Sequence, residues 1–247
     1  MQSLLKTENE TELNSLQKGY TDFYLKGNIN NVYPNEYIIR IFKGGYPNLS
    51  LRDDNYFNKK ILDVGCGDGR NLAFLKRIGF ETYGTEISDE ICAKVENDLT
   101  SIGLNSKIEK GFCHELPFSN KYFDYLLSWN SCYYMGYSDN YKPFNEHVCE
   151  FSRVLAGGGK LVLSVPMKTN FIYDNAVKIH DEYSVIQNDP YGIRDNIVMR
   201  CFENESEVIS SLSSHFENFI TGTIYDNCFG QNNHWHLIIC DKKVLED

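Results

Sequence analysis

Proline is scarce, at 6 of 247 residues, which excludes a collagen-like helix and a proline-rich spacer. No stretch approaches 18 uninterrupted apolar residues, and the apolar part of MQSLLKTENETELNSLQKGY is too short for a secretory signal, so neither a membrane span nor export is expected. The eight cysteines (66, 92, 113, 132, 149, 201, 228 and 240) never form C-x-x-C and sit in apolar, patterned segments, as reduced thiols of a cytoplasmic protein do; we expect no disulfides. Basic residues are outnumbered, 24 against 34 acidic ones. Their longest clusters are the pairs Lys59-Lys60 and Lys242-Lys243, so a phosphate backbone is repelled overall and no nucleic-acid partner is expected. No period of 20 to 50 residues recurs, which removes solenoids.

What is present is enough apolar surface, 42% hydrophobic with 17 Tyr and 15 Phe, to build a core without staples. Residues 1–57 read as a helical cap segment, in which Pro34 opens a helix through Asn35–Phe42 that Gly44-Gly45 and Pro47 stop. From Lys60 short apolar runs alternate with longer periodic stretches, the mark of βαβ units. Strands are expected at Ile61–Val64, Glu81–Thr85, Lys107–Lys110, Phe123–Ser128, Lys160–Val165, Phe219–Tyr225 and His234–Cys240. Helices are expected at Arg70–Ile78, Asp89–Ile102 behind Ser88, Lys142–Leu155, and Glu205–His215 behind Asn204. The fold class is therefore α/β: a three-layer, seven-stranded, mostly parallel Rossmann-like sheet ending in an antiparallel hairpin, occupying residues 58–247. Met167–Phe202 lacks strong periodicity and reads as a lid-like insertion.

Ile61-Leu-Asp-Val-Gly65-Cys-Gly67-Asp-Gly69-Arg is a buried strand running into a glycine-rich turn and then a helix. Such a turn lets backbone approach a ligand at the carboxyl edge of an open sheet. About twenty residues on, the second strand ends at Glu86, where an acid accepts hydrogen bonds from the ribose hydroxyls of an adenosine cofactor. A dinucleotide site wants a small third residue near the pyrophosphate, and Arg70 stands there; Asp63 beside the pocket suits an ammonium or sulfonium better than two phosphates.

At these residues the chain resembles the class I S-adenosylmethionine-dependent methyltransferases. ILDVGCGDGR is similar to their first motif and TEIS to the acidic second. Gly111-Phe-Cys-His-Glu-Leu-Pro-Phe118 is similar to the loop that usually reads G-D-x-x-x-L-P-F, Phe123–Trp129 to the fourth strand, and Arg153-Val-Leu-Ala-Gly-Gly-Gly to the R-V-L-K-P-G-G turn. The resemblance covers residues 58–166 well and the C-terminal hairpin more loosely. It implies S-adenosylmethionine as cofactor, with Gly65 and Gly67 facing its methionyl part, Asp63 and the carbonyl of Trp129 holding the amine, Glu86 the ribose and Ile87 the adenine. Phe112 replaces the usual Asp, so the adenine edge falls to the backbone at Cys113 and to His114 or Glu115.

Methyl transfer needs chiefly alignment of acceptor and methyl group. The acceptor is expected to meet Tyr33, Tyr134, Arg194 and Arg200, the arginines matching a phosphate or carboxylate, with His180 as general base. His234 and His236 fall on one strand face by period two, so no metal is expected. The expected function is methylation of a small polar acceptor, an anionic one where the arginines engage it, at oxygen, in a bacterial surface-polysaccharide or secondary-metabolite pathway. The alternatives are a protein-substrate methyltransferase, a non-catalytic cofactor-binding module and a nicotinamide-dependent oxidoreductase.

Overall fold

The structure, a computed structural model, describes residues 17–26, 33–137, 141–180 and 182–244. In chain order the elements are α1 (residues 17–25), α2 (Glu36–Lys43), β1 (Lys60–Val64), α3 (Arg70–Arg77), β2 (Glu81–Glu86), α4 (Asp89–Ser101), β3 (Lys107–Lys110), β4 (Phe123–Trp129) and β5 (Tyr134–Tyr137). There follow α5 (Phe144–Val154), β6 (Leu155–Pro166), β7 (Val177–His180), β8 (Tyr183–Val185), β9 (Ile197–Arg200), α6 (Glu205–Leu212), β10 (Phe216–Cys228) and β11 (Gln231–Lys242). Seven of the strands form one sheet in the order β10-β11-β6-β4-β1-β2-β3. Every neighbouring pair from β6 to β3 runs parallel, and β11 pairs antiparallel with both β6 and β10.

The apolar runs explain this arrangement. Ile61 and Leu62 are both fully buried, one facing the cluster that holds Ile38 and Phe42 of α2, the other facing Phe144, Val148 and Phe151 of α5. A strand covered on both faces reads as a continuous apolar run, as parallel strands do. Three helix starts follow the capping rule: Asn35 accepts from Tyr37 N–H in α2, Ser88 from Ile91 N–H in α4 and Asn204 from Glu207 N–H in α6. The closing hairpin turns on Phe229 and Gly230, at φ 51° and 85°, the left-handed pair of a type I′ turn that suits the twist of the flanking strands.

The turn expected at Ala156–Gly159 is kept as a break inside β6, where Gly158 sits at φ 73° and the paired residues jump from Phe123–Leu155 to Tyr125–Lys160. One sequence expectation needs correction. The 167–202 segment is patterned after all: β7, β8 and β9 join β5 in a second, antiparallel sheet of order β5-β9-β8-β7. Its strands are only three or four residues long, too short for alternation to show in the sequence.

Arg200 closes β9, and its place also corrects the expectation that it meets the acceptor. It is 1% exposed. Its guanidinium donates to Glu207 Oε1 at 2.8 Å and to the carbonyl oxygens of Glu182 and Cys201 at 3.0 and 2.5 Å, and lies 4.3 Å from the Phe202 ring centroid. It thus fastens the small sheet to α6. Its partner Glu207 keeps 27% of its side chain exposed, so the loss of Arg200 costs less than the ~3–5 kcal/mol of a fully buried pair. Arg200→Ala is therefore expected to lower the unfolding free energy by about 1.5–3 kcal/mol in urea titration, the worth of its charge-assisted hydrogen bonds; an unchanged midpoint would refute the structural role.

Candidate active site

A cavity of about 800 Å³ opens at the carboxyl ends of β1, β2, β3 and β4. Its floor is the glycine turn, where Gly65 and Gly67 sit at φ +70° and +61°. Gly65 and Cys66 N–H both donate to the carbonyl of Thr85, at 3.0 Å each. Gly67 N–H donates to Glu86 Oε1 at 2.7 Å, and Ile87 N–H to Glu86 Oε2 at 3.0 Å. A side chain on Gly67 would strike the Tyr24 ring at 2.9 Å, so bare backbone is required here. Glu86 is buried, which raises its pKa; the two N–H donors pull it back, and Asp68 nearby raises it further. With two lone pairs on each oxygen, Glu86 can still accept from the hydroxyls of a ribose.

Asp63 tests whether the implied cofactor fits. It is 1% exposed at the end of β1, and its Oδ2 has no hydrogen-bond partner among the described residues. Burial, with Glu86 and then Asp68 adding repulsion, pushes its pKa up to about 8. A buried orphaned acid of this kind calls for a cation, and the ammonium of S-adenosylmethionine supplies one. The residues fit the group.

The opposite end is aromatic. Tyr20, Tyr133, Tyr134, Phe171, Tyr191 and Trp235 line it. Helix α1 crosses the opening: Gln17 donates to the carbonyl of Ile87, Thr21 to Ser88 Oγ, and Tyr20 OH to Tyr134 OH at 2.7 Å. Arg194 donates from Nε to the same Tyr134 oxygen at 3.1 Å and from Nη1 to the fully buried side chain of Asp189 at 2.6 Å. Because Tyr134 Oη accepts twice, its own proton is left for a ligand. Asp189, which anchors Arg194, carried no signal in the sequence beyond its place in a polar turn.

Of the expected site residues, Gly65, Glu86, Ile87, Cys113, His114, Tyr134 and Arg194 line the cavity. Asp63 and Gly67 lie directly behind it, in the first strand and its turn. The Trp129 indole packs into the core on the α2 face, and Asn130 and Ser131 reach the cavity instead. Tyr33 is 81% exposed and does not line the cavity. His180 ends an exposed edge strand, where its Nε2 lies 3.0 Å from Tyr141 OH; it too is outside the cavity, because β7 is the outermost strand of the small sheet. Missed in the sequence was His147, which lines the cavity from α5. Among the described residues no group of acids, histidines and cysteines could hold a metal ion.

Comparison with known proteins places these features in context. Residues 62–163 match the family model of a methyltransferase domain. A curated relative, the sarcosine/dimethylglycine N-methyltransferase of Aphanothece halophytica, is 34% identical over 114 residues, 45% of this chain and 39% of the relative, so the matched part spans about two fifths of that protein. A solved methyltransferase from Methanosarcina mazei superposes with a TM-score of 0.61 at 21% identity, over 82% of this chain and 99% of that one. The Burkholderia thailandensis 1,6-didemethyltoxoflavin-N1-methyltransferase, solved with its substrate and S-adenosylhomocysteine, gives 0.56 at 16% identity, over 76% and 72%. These two likenesses show a shared fold.

The raised pKa of Asp63 sets a pH dependence. The folded state holds this proton more tightly than the unfolded chain does, so the stabilisation is complete below the ordinary value near ~4 and is lost as pH climbs towards about 8, by at most ~1.4 kcal/mol per pH unit. Ligand-free Asp63→Asn should therefore be more stable than the parent at pH 8, with the gap closing towards pH 4. Thermal unfolding across that range checks this, and a gap independent of pH would contradict it.

Proposed function

We propose that this member of the class I S-adenosylmethionine-dependent methyltransferase family transfers a methyl group to a small polar acceptor whose anionic group is held by Arg194 and Tyr134. The observation that carries the reading is the single cavity: its glycine-turn end suits the cofactor and its aromatic end adjoins it without a wall between, within the 300–1,000 Å³ typical of enclosed ligand sites. The cofactor, when bound, supplies an electrophilic methyl group on a sulfonium that is already a good leaving group. Everything else is positioning by the chain. Asp63 and Glu86 hold the cofactor from beneath; Arg194, kept in place by Asp189, offers its remaining donors to a carboxylate or phosphate; and Tyr134 adds its hydroxyl. Residues 17–26, as part of the N-terminal cap, cover the reacting region and exclude water.

The chamber also bears on which atom is methylated. Among the described residues no histidine or carboxylate lines its Tyr134–Arg194 end, and the Asp189 carboxylate behind Arg194 is fully buried in its ion pair. An amine that gives up its ammonium proton to solvent before it reacts, or an oxygen that ionises unaided, fits better than an unactivated alcohol, whose proton would have to be removed in the site. The N-methyltransferase activity named for the curated relative supports the amine reading over the oxygen expected from sequence. A bacterial biosynthetic pathway remains part of the proposal only through the resemblance.

Calorimetry with S-adenosylhomocysteine followed by a methyl-transfer screen of amino, N-methylamino and hydroxy acids tests the function. Binding, with turnover of at least one carboxylate-bearing amine, is expected. Tight binding with turnover only of uncharged acceptors would refute the role of Arg194, and no binding would refute the cofactor. Glu86→Ala should weaken S-adenosylhomocysteine at least ~10-fold, since charge-assisted hydrogen bonds are worth about 1.5–3 kcal/mol each. Arg194→Met should instead lower acceptor kcat/KM by ~10-fold or more with cofactor affinity kept. Equal effects on both ligands would contradict the division of the cavity.

A further inference from the structure

The strand order fixes which way a bound nucleoside points. Asp63 is the last residue but one of β1, Glu86 ends the neighbouring β2, and the next strand, β3, leads into Gly111–Glu115. With the ammonium matched to Asp63 and the ribose to Glu86, the base lies towards the wall made by Ile87, Phe112, Cys113 and His114. Phe112 gives that wall only a ring, so beside His114 and Glu115, which also line the cavity, it has room for a further side-chain acceptor.

His147 supplies one. It reaches this wall from α5, 1% exposed, with its ring 5.8 Å from that of His114 and 24° from parallel; Phe112 stacks on the other ring neighbour, His114, at 5.6 Å and 18°. Its Nδ1 lies 2.8 Å from the carbonyl oxygen of Cys132. A carbonyl only accepts, so Nδ1 carries the proton, and in the neutral ring Nε2 is then a bare lone pair. Burial pushes the imidazole pKa down to about 4, with His114 adding to the effect against the Cys132 bond, so the ring is neutral at physiological pH. No protein group among the described residues partners Nε2, and the ring lines the cavity.

A locked acceptor in a cavity wall selects a ligand N–H. We propose that His147 Nε2 reads the exocyclic amino group of the adenine, taking the part for which Phe112 has no polar atom. This rests on the cofactor reading above and adds a specificity-determining residue to it. The Cys132 carbonyl acts on the ligand through the ring it orients.

Calorimetry tests the proposal without any acceptor. S-adenosylhomocysteine is compared with the analogue that carries hydrogen in place of the 6-amino group. The wild type should prefer the amino form at least ~10-fold. In His147→Asn, whose amide N–H can keep the bond to Cys132 while the Nε2 acceptor is gone, the preference should fall to about twofold or less, as it should in His147→Ala if that variant folds. Glu86→Ala should weaken both ligands alike and keep the preference. A folded His147→Asn protein, judged by its thermal transition, that still discriminates ~10-fold overturns the proposal. Failure of the wild type to bind either ligand instead overturns the cofactor reading, and this assignment falls with it.

Discussion

The carboxylate of Glu86 joins the two elements from which the site is built. One oxygen takes the N–H of Gly67 in the turn after β1, and the other takes the N–H of Ile87 at the start of the loop after β2. This places an acid side chain where the chain changes direction twice, so the turn, the first strand pair and the ligand share one set of hydrogen bonds. The turn must be glycine because its backbone is left-handed and because Tyr24 of α1 packs against it. The N-terminal helix is thereby registered on the same carboxylate-held loop, and it brings Tyr20 to Tyr134 at the far end of the cavity.

The balance of charge across the cavity follows. Asp63, Asp68 and Glu86 are all buried on the glycine-turn side, and among the described residues only Asp68 has a cation, Arg70, firmly on it. This end is short of positive charge by construction, which is why burial and mutual repulsion raise the pKa values of both Asp63 and Glu86. At the other end the cation Arg194 is shared between Asp189 and Tyr134. A cationic cofactor and an anionic acceptor group would each meet the charge they need, at opposite ends of one volume.

Sequence made the parallel half of the fold legible because its strands are buried on both faces and α4 carries a side-chain cap. Ile61–Val64 is apolar but for Asp63, and Phe123–Ser128 but for Asp124 and the closing Ser128, while Ser88 and Asn204 mark helix starts that the structure keeps. The cofactor end was legible for the related reason that close backbone approach demands glycines at fixed spacing from an acid. The acceptor end was less so, since its geometry depends on β5 pairing with β9 across more than sixty residues. That pairing puts Arg194 in the cavity, while Arg200, six residues on, goes into an ion pair beneath the small sheet. His147 sits in a helix whose apolar pattern disguises it: only the bond to Cys132 shows that this buried ring presents an acceptor.

In the proposed function, Asp63, buried and with its pKa pushed up to about 8, becomes the counter-ion of the bound cofactor. Calorimetric titration of S-adenosylmethionine in two buffers of different ionisation enthalpy, near pH 6.5, measures the protons exchanged on binding. Ionisation of Asp63 against the ligand ammonium should release up to about one proton per site, and Asp63→Asn should lose that release. Binding with no proton release in the parent, or with the same release in Asp63→Asn, would contradict it.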